Sequence, residues 1–142
     1  MTTKAALDLD TYVQAILGKQ ALGLTVLDVA ALTSVADVFM ICSGRSNRQV
    51  SAIAEHIQRE LKKQGIRPLS IEGKTDGHWI LMDYGHVVIH VFFDEIRHFY
   101  DLEGLWADAP RVVTPALEQH THAVQQTENP AYGTQTDDID DS

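Results

Sequence analysis

The stretch HWILMDYGHVVIHVF, from His78 to Phe92, is apolar at most positions and is interrupted by Tyr84 and Gly85. Two apolar runs around a glycine predict a β-hairpin, because Gly85 can adopt the positive φ that a two-residue loop requires. With Tyr84 and Gly85 as the loop, the predicted register pairs Asp83 with His86, Leu81 with Val88, and Trp79 with His90.

The predicted hairpin has two different faces, because successive side chains along a strand point to opposite sides of the sheet. One face is apolar except at its edge, so it must pack against helices. The other is typical of a surface that is in water at some times and covered at others. The alternative is that a helix covers Trp79 permanently and that His90 is hydrogen-bonded inside. The apolar face carries His78, Ile80, Met82, Val87, Ile89, Val91 and Phe93, and the mixed face carries Trp79, Leu81, Asp83, His86, Val88, His90 and Phe92.

Upstream of the hairpin, residues 37–65 predict a buried strand followed by an amphipathic helix. The strand segment VFMIC has no polar alternation, as expected for a central strand covered on both faces. Ser46 and Gln49 form a capping box, and an apolar stripe follows at helical spacing. Strand, helix and strand in this order permit a parallel crossover. We therefore predict an α/β (α+β) fold with a mixed β-sheet flanked by helices.

The remaining predicted elements lie around this centre. Asp8 or Asp10 can cap a first helix, because a short side-chain oxygen accepts a hydrogen bond from the first helical turn. The other elements are strands over residues 24–31 and 69–71 and a short helix over residues 94–101, after which Leu102, Leu105 and Trp106 are expected to pack back onto the domain.

The composition indicates in which cellular compartment the protein works. The chain has one cysteine, Cys42, which excludes an intrachain disulfide and fits a reducing environment. Residues 1–30 lack the pattern of a signal peptide, and no apolar run approaches the length of a membrane span. We therefore expect a soluble cytoplasmic protein with no membrane partner.

Charge divides the chain into a body and a tail. The net charge is −9, and residues 112–142 hold six acids and no Lys or Arg, so fourteen acids and eleven bases leave residues 1–111 at −3. Clustered basic residues, which nucleic-acid binding needs, are missing from both parts. A slightly acidic body favours a basic protein partner, or serves solubility alone. The polar composition after Pro110 predicts a folded domain over residues 1–112 and an acidic tail over 113–142 that is disordered from about Thr114 onward.

The sequence gives little support to a catalytic site. The segment SGRS at a strand-to-helix junction resembles the start of nucleotidyltransferases, which hold two Mg²⁺ ions with carboxylates one residue apart on a following strand. Here that strand reads VVIHVFF and has no such pair. His86 and His90 are about 13 Å apart along a strand, too far for one zinc ion. Cys42 lies in an apolar strand and is interpreted as a packed small side chain. We predict no catalytic, cofactor-binding or metal-binding residues, with nucleotide binding or nucleotidyl transfer as the alternative function.

The segments ADVFMICSGRSNRQVSAIAEHI and IEGKTDGHWILMDYGHVVIHVFFDEIRHFYDLEGLW, together with the first helix, resemble the ribosomal silencing factor family, RsfS, also called Iojap-like. The resemblance covers about residues 7–108. The positions that carry it are Ser46-Asn47-Arg48-Gln49, Trp79, Asp83, Gly85, Val88, His90, Phe92, Arg97, Tyr100, Leu102, Leu105 and Trp106.

The resemblance implies a nucleotidyltransferase-like fold without the metal-binding acids of the enzymes. It also implies a protein that binds the large ribosomal subunit through its L-fourteen protein, blocks joining of the small subunit and represses translation when nutrients are short. The free form is implied to be a homodimer. The acidic tail departs from the family pattern, and His86 stands where many relatives carry an acid.

The resemblance and the mixed face of the hairpin together suggest a contact surface. We predict that the partner-binding residues are Trp79, Asp83, Tyr84, His86 and His90, with Trp79 as an aromatic anchor.

Overall fold

The computed structural model describes residues 4–120, with side chains from residue 8 onward. The part of the predicted acidic tail from residue 121 to residue 142 lies outside the described residues. The elements are α1 (Lys4–Leu17), β1 (Leu22–Asp28), β2 (Val38–Gly44), α2 (Asn47–Lys63), β3 (Ser70–Glu72), β4 (Trp79–Asp83), β5 (Val87–Phe93), α3 (Asp94–Tyr100) and α4 (Leu102–Leu105).

The strands form one mixed sheet in the order β1-β2-β5-β4-β3. β2 and β5 pair in parallel, whereas the other neighbours pair antiparallel. The predicted class, a mixed sheet flanked by helices, is therefore confirmed. The parallel crossover is longer than a single strand–helix–strand unit, because the chain makes α2, β3 and β4 before β5 returns beside β2.

Helix α2 covers one face of the sheet, and its start is the predicted one. Ser46 Oγ accepts a hydrogen bond from the Gln49 amide at 3.1 Å, and Gln49 Oε1 accepts one from the Arg45 amide. The first bond is the predicted N-cap, whereas the return bond of Gln49 goes to the residue before the cap and not to the Ser46 amide of a strict capping box. The predicted apolar stripe is buried against the sheet and consists of Val50, Ile53, Ala54, Ile57 and Leu61.

The central strand β2 is buried along its whole length, as its unbroken apolar run predicts. Helices α1 and α2 cover one face, and α3, α4 and the segment around Ala109 cover the other. Cys42 lies inside β2, and burial raises the pKa of its thiol to about 12. Cys42 is therefore a packed side chain without a reactive thiolate, in agreement with the prediction.

The hairpin forms, but its loop lies one residue later than predicted. The Tyr84 amide donates to the Val87 carbonyl at 2.9 Å, so Gly85 and His86 are the central loop residues. The Asp83 carboxylate accepts a hydrogen bond from the Gly85 amide at 2.8 Å, which fixes where the turn begins. Gly85 has the predicted positive φ, +93°. The predicted register was wrong by two residues: Trp79 pairs with Phe92, Leu81 with His90, and Asp83 with Val88.

A shift of two residues leaves every strand side chain on its predicted face, because the side-chain period of a strand is two. The apolar face lies in the main core under α1 and α2. The mixed face lies in a second, smaller core under α3 and α4. Leu102 and Trp106 pack into this second core as predicted. Leu105 does not, since it is 76% exposed, and its predicted packing is wrong because the short α4 turns only Leu102 and Trp106 inward.

Both ends of the described chain differ from the prediction. The first helix already includes Lys4, so Asp8 and Asp10 lie inside α1 and do not cap it. Thr114 is 1% exposed, residues 115–120 are helical, and the Ala116 amide donates to Asp10 Oδ1 at 2.7 Å. The expected disorder from Thr114 onward is therefore wrong for residues 114–120, which are held by a residue far away in the sequence.

Asp10→Ala should lower the free energy of unfolding by about 1–3 kcal/mol, because it leaves the half-buried Ala116 amide without its acceptor. It should also expose the segment after residue 112 to limited proteolysis. Urea denaturation measures the first effect. Asp8 on the same helix is exposed, so Asp8→Ala is the control and should change stability by less than about 0.5 kcal/mol. Equal stability of the two variants would contradict the tie between Asp10 and the C-terminal segment.

Candidate functional site

One aromatic surface of the domain is only partly covered. Strand β4 presents Trp79, Leu81 and Asp83, each half-buried, on the side of the sheet that faces α3. Helix α3 adds Phe99 and Tyr100, which are 79% and 52% exposed. These five residues are called the Trp79 surface below.

The Trp79 ring is held between the sheet and α3. It stacks on Phe92 at a centroid distance of 4.8 Å and contacts Tyr100 at 5.1 Å. Tyr100 in turn meets Phe99 at 5.2 Å. The aromatic row therefore runs from a fully buried ring to an exposed one. Helix α3 therefore covers Trp79 in part, through Tyr100, and the side chain is half-buried.

His90 lies beneath Trp79 in the second core. It is 4% exposed, and its Nδ1 accepts a hydrogen bond from the Trp79 indole N–H at 3.1 Å. Burial lowers the pKa of His90 from 6.5 to about 4. The imidazole is therefore neutral at pH 7, and its side chain supports the surface from inside without being part of it.

The structure does not bring the five predicted partner-binding residues to one place. Trp79 and Asp83 lie on the Trp79 surface, and His90 lies below it. Tyr84 is buried in the main core, where its ring meets Tyr12 at 5.7 Å and burial raises the pKa of its hydroxyl to about 12. His86 is exposed in the hairpin loop, also beside Tyr12, at the opposite end of β5 from Phe92.

Sequence reasoning did not select Phe99 and Tyr100 as partner-binding residues. Their exposure depends on how α3 packs, and the alternation of side chains along the hairpin strands says nothing about the packing of a helix. A signal was nevertheless present: Phe99 and Tyr100 are adjacent, and successive side chains of a helix project about 100° apart around its axis. Two adjacent aromatic residues at the end of an amphipathic helix indicate at least one exposed ring.

A cleft of about 230 Å³ opens beside Trp79. Gly73 has a φ of +87°, and any side chain there would collide with the Trp79 carbonyl oxygen, so the loop approaches β4 this closely only with glycine. Aromatic rings and a carboxylate together suit a basic side chain with an aliphatic stem. The lining residues are Gly73, Asp76, His78, Trp79, Ile96 and Tyr100.

Arg97 anchors α3 to the rest of the domain. Its Nη2 pairs with Glu103 Oε2 at 2.6 Å and donates to the Gly23 carbonyl at 2.7 Å, while Nη1 donates to the Leu22 carbonyl at 3.2 Å. The hydrogen bond from Arg97 lowers the pKa of Glu103, although burial opposes this effect. Because one guanidinium joins β1, α3 and α4, it also fixes where Tyr100 lies.

A second cleft, of about 410 Å³, lies at the carboxyl ends of β2 and β5, where α/β proteins often bind ligands. Its polar groups already bind one another. Asp94 accepts a hydrogen bond from Ser43 Oγ at 2.9 Å, Arg97 is paired with Glu103, and Asp101 accepts from the Gly104 amide. Within residues 4–120, no three His, Cys, Asp or Glu residues are grouped so as to hold a metal ion.

A family model described as "Ribosomal silencing factor during starvation" matches residues 2–139. The chain belongs to the ribosomal silencing factor family. The RsfS resemblance read from the sequence is thereby confirmed. A Bacillus subtilis protein named ribosomal silencing factor RsfS is 44% identical over 92 residues, which are 65% of this chain and 78% of that protein.

More distant relatives of this chain include a mouse protein named "Mitochondrial assembly of ribosomal large subunit protein 1". It is 32% identical over 105 residues, covering 72% of this chain and 46% of that protein. A crystal structure of a Bacillus halodurans protein has 36% identity and a TM-score of 0.67, and covers 75% of this chain and 97% of that chain. None of the helices within residues 4–120 combines the length and apolarity that a membrane span requires.

The buried His90 should make stability depend on pH. Unfolded His90 takes up a proton below about pH 6.5, whereas folded His90 does so only at about pH 4. Its contribution is therefore complete above pH 6.5 and is lost as the pH falls towards 4, by about 3 kcal/mol in total. Urea denaturation of the wild type and of His90→Asn at pH 7 and pH 4 measures it. The variant should lose less stability on acidification, and parallel losses would contradict the assigned pKa shift.

Proposed function

We propose that this RsfS-family chain binds the large ribosomal subunit through its L-fourteen protein, blocks joining of the small subunit and so represses translation under nutrient limitation. The Trp79 surface is the proposed contact. The observation that carries the proposal is an aromatic anchor, Trp79, that is ordered by packing on Phe92 and Tyr100 and is still partly exposed. Binding hot spots at protein interfaces are enriched in tryptophan.

The charge around the Trp79 surface supports a basic partner. Glu72 pairs with Leu81 across β3 and β4 and therefore lies on the same face of the sheet. Asp76 lines the cleft beside Trp79 and Asp83 is part of the Trp79 surface, so these three carboxylates give this region negative charge. Proteins that contact RNA phosphates need Lys and Arg, so a ribosomal protein is a suitable basic partner.

The names of the relatives support a ribosomal target. The B. subtilis relative is named for ribosomal silencing, and the mouse relative is named for assembly of the large ribosomal subunit. Blocking of subunit joining by occupancy needs no bond to be made or broken, which agrees with a cleft at β2 and β5 whose polar groups bind one another. In this proposal the chain acts as a binding protein in the cytoplasm, and its free form is a homodimer.

The geometry changes the set of proposed contact residues. Trp79 and Asp83 stay in it, and Phe99 and Tyr100 are added. Tyr84 is buried in the main core, and His86 packs beside Tyr12 on that same side of the sheet, so direct contact by them is not part of the proposal. His90 is proposed to contribute indirectly, through its hydrogen bond with the Trp79 indole.

Trp79→Ala should weaken binding to purified large subunits by about 30-fold, equivalent to roughly 2 kcal/mol, because it removes the anchor of the surface. Cosedimentation over a range of subunit concentrations measures the affinity. Val35 is 72% exposed in the β1–β2 connection, remote from Trp79, and Val35→Ala should bind like the wild type.

Ile89→Ala is the control for loss of stability, because Ile89 is fully buried in the main core. It should lower the melting temperature clearly while the folded fraction still binds. If Trp79→Ala behaves like Ile89→Ala, unstable but with full affinity, the contact surface has been placed wrongly.

A further inference from the structure

The hydrogen bond between Trp79 and His90 leaves one buried group unsatisfied. Because His90 Nδ1 accepts the indole proton, the neutral ring must carry its own proton on Nε2. His90 Nε2 is buried and has no hydrogen-bond partner among the described residues. A buried N–H without a partner destabilises a fold.

The surroundings of His90 do not explain why a histidine is there. Phe39 approaches the imidazole edge-on at a centroid distance of 4.9 Å, and Phe92 lies parallel to it at 6.3 Å. Such an apolar site would be filled at lower cost by an apolar side chain of similar size. The one favourable polar contact that the structure shows for His90 is the bond to Trp79. The acceptor is therefore the property that distinguishes histidine from leucine here.

We propose that His90 is a positioning residue, which holds the Trp79 indole in the orientation required for binding. The bond from Nε1 to Nδ1, the stack on Phe92 and the contact with Tyr100 together select one orientation of a half-exposed ring. A side chain that is ordered before binding loses less entropy when the partner arrives, so affinity rises without any added contact. This inference rests on the proposed function of the Trp79 surface.

Two variants of similar shape separate the acceptor from the packing. His90→Asn places an amide oxygen close to the position of Nδ1, whereas His90→Leu has the same branching without an acceptor. His90→Leu should weaken binding to purified large subunits by about 3- to 10-fold. His90→Asn should bind within about 2-fold of the wild type, and the melting temperature of His90→Leu should be no lower than that of His90→Asn.

A spectroscopic readout tests the bond without the ribosome. In ¹H–¹⁵N spectra, the Trp79 indole N–H is assigned by its loss in Trp79→Phe, which separates it from Trp106. In His90→Leu this signal should shift and exchange faster with solvent, and in His90→Asn it should stay close to the wild type. An indole signal unchanged in His90→Leu would overturn the positioning role.

The double variant separates failure of this inference from failure of the proposed function. If His90 acts through Trp79, adding His90→Leu to Trp79→Ala should weaken binding no further. The inference is overturned while the function stands if Trp79→Ala weakens binding and His90→Leu does not, or if His90→Asn and His90→Leu weaken it equally. If Trp79→Ala leaves the affinity unchanged, the proposed contact surface is wrong and the positioning role is overturned with it.

Discussion

The parallel pairing of β2 with β5 is the constraint from which the rest of the structure follows. Parallel neighbours cannot be joined by a tight turn, so the chain crosses the sheet through α2 and returns by way of β3 and β4. Both strands then lie at the centre of the sheet and are buried on two faces. The face opposite α1 and α2 needs its own cover. Helix α3 supplies it directly, because it begins at Asp94, immediately after the last residue of β5.

Helix α3 is too short to cover this whole face of the sheet, and the part that stays exposed is the Trp79 surface. Helix α3 has seven residues and so spans only about 10 Å. Together with α4 and the segment around Ala109 it covers β5, whereas β4 is covered only in part, which leaves Trp79 half-buried. Arg97 keeps α3 in this place through its contacts with β1 and α4. The same packing that stabilises the second core therefore also orders the aromatic groups proposed to bind the ribosome.

Features set by near neighbours in the sequence could be predicted, and features set by distant groups could not. The Ser46 cap of α2 and the division of the hairpin into two faces depend on residues a few positions apart, and both are confirmed. The loop of the hairpin was misplaced because the Asp83 side chain fixes its start. The predicted disorder is wrong for residues 114–120 because the acceptor of the Ala116 amide, Asp10, lies 106 residues away in the sequence. The contribution of α3 to the surface depends likewise on tertiary packing.

Site-specific photocrosslinking on purified large subunits tests the central claim most directly. A benzophenone side chain replaces Phe99, which is 79% exposed at the edge of the Trp79 surface, and in a matched chain replaces Val35, which is 72% exposed in the β1–β2 connection. Mass spectrometry then identifies the crosslinked protein. We predict a crosslink from position 99 to the L-fourteen protein and none to that protein from position 35. A crosslink to the L-fourteen protein from position 35 alone, or from position 99 only to other subunit proteins, would contradict the proposed contact.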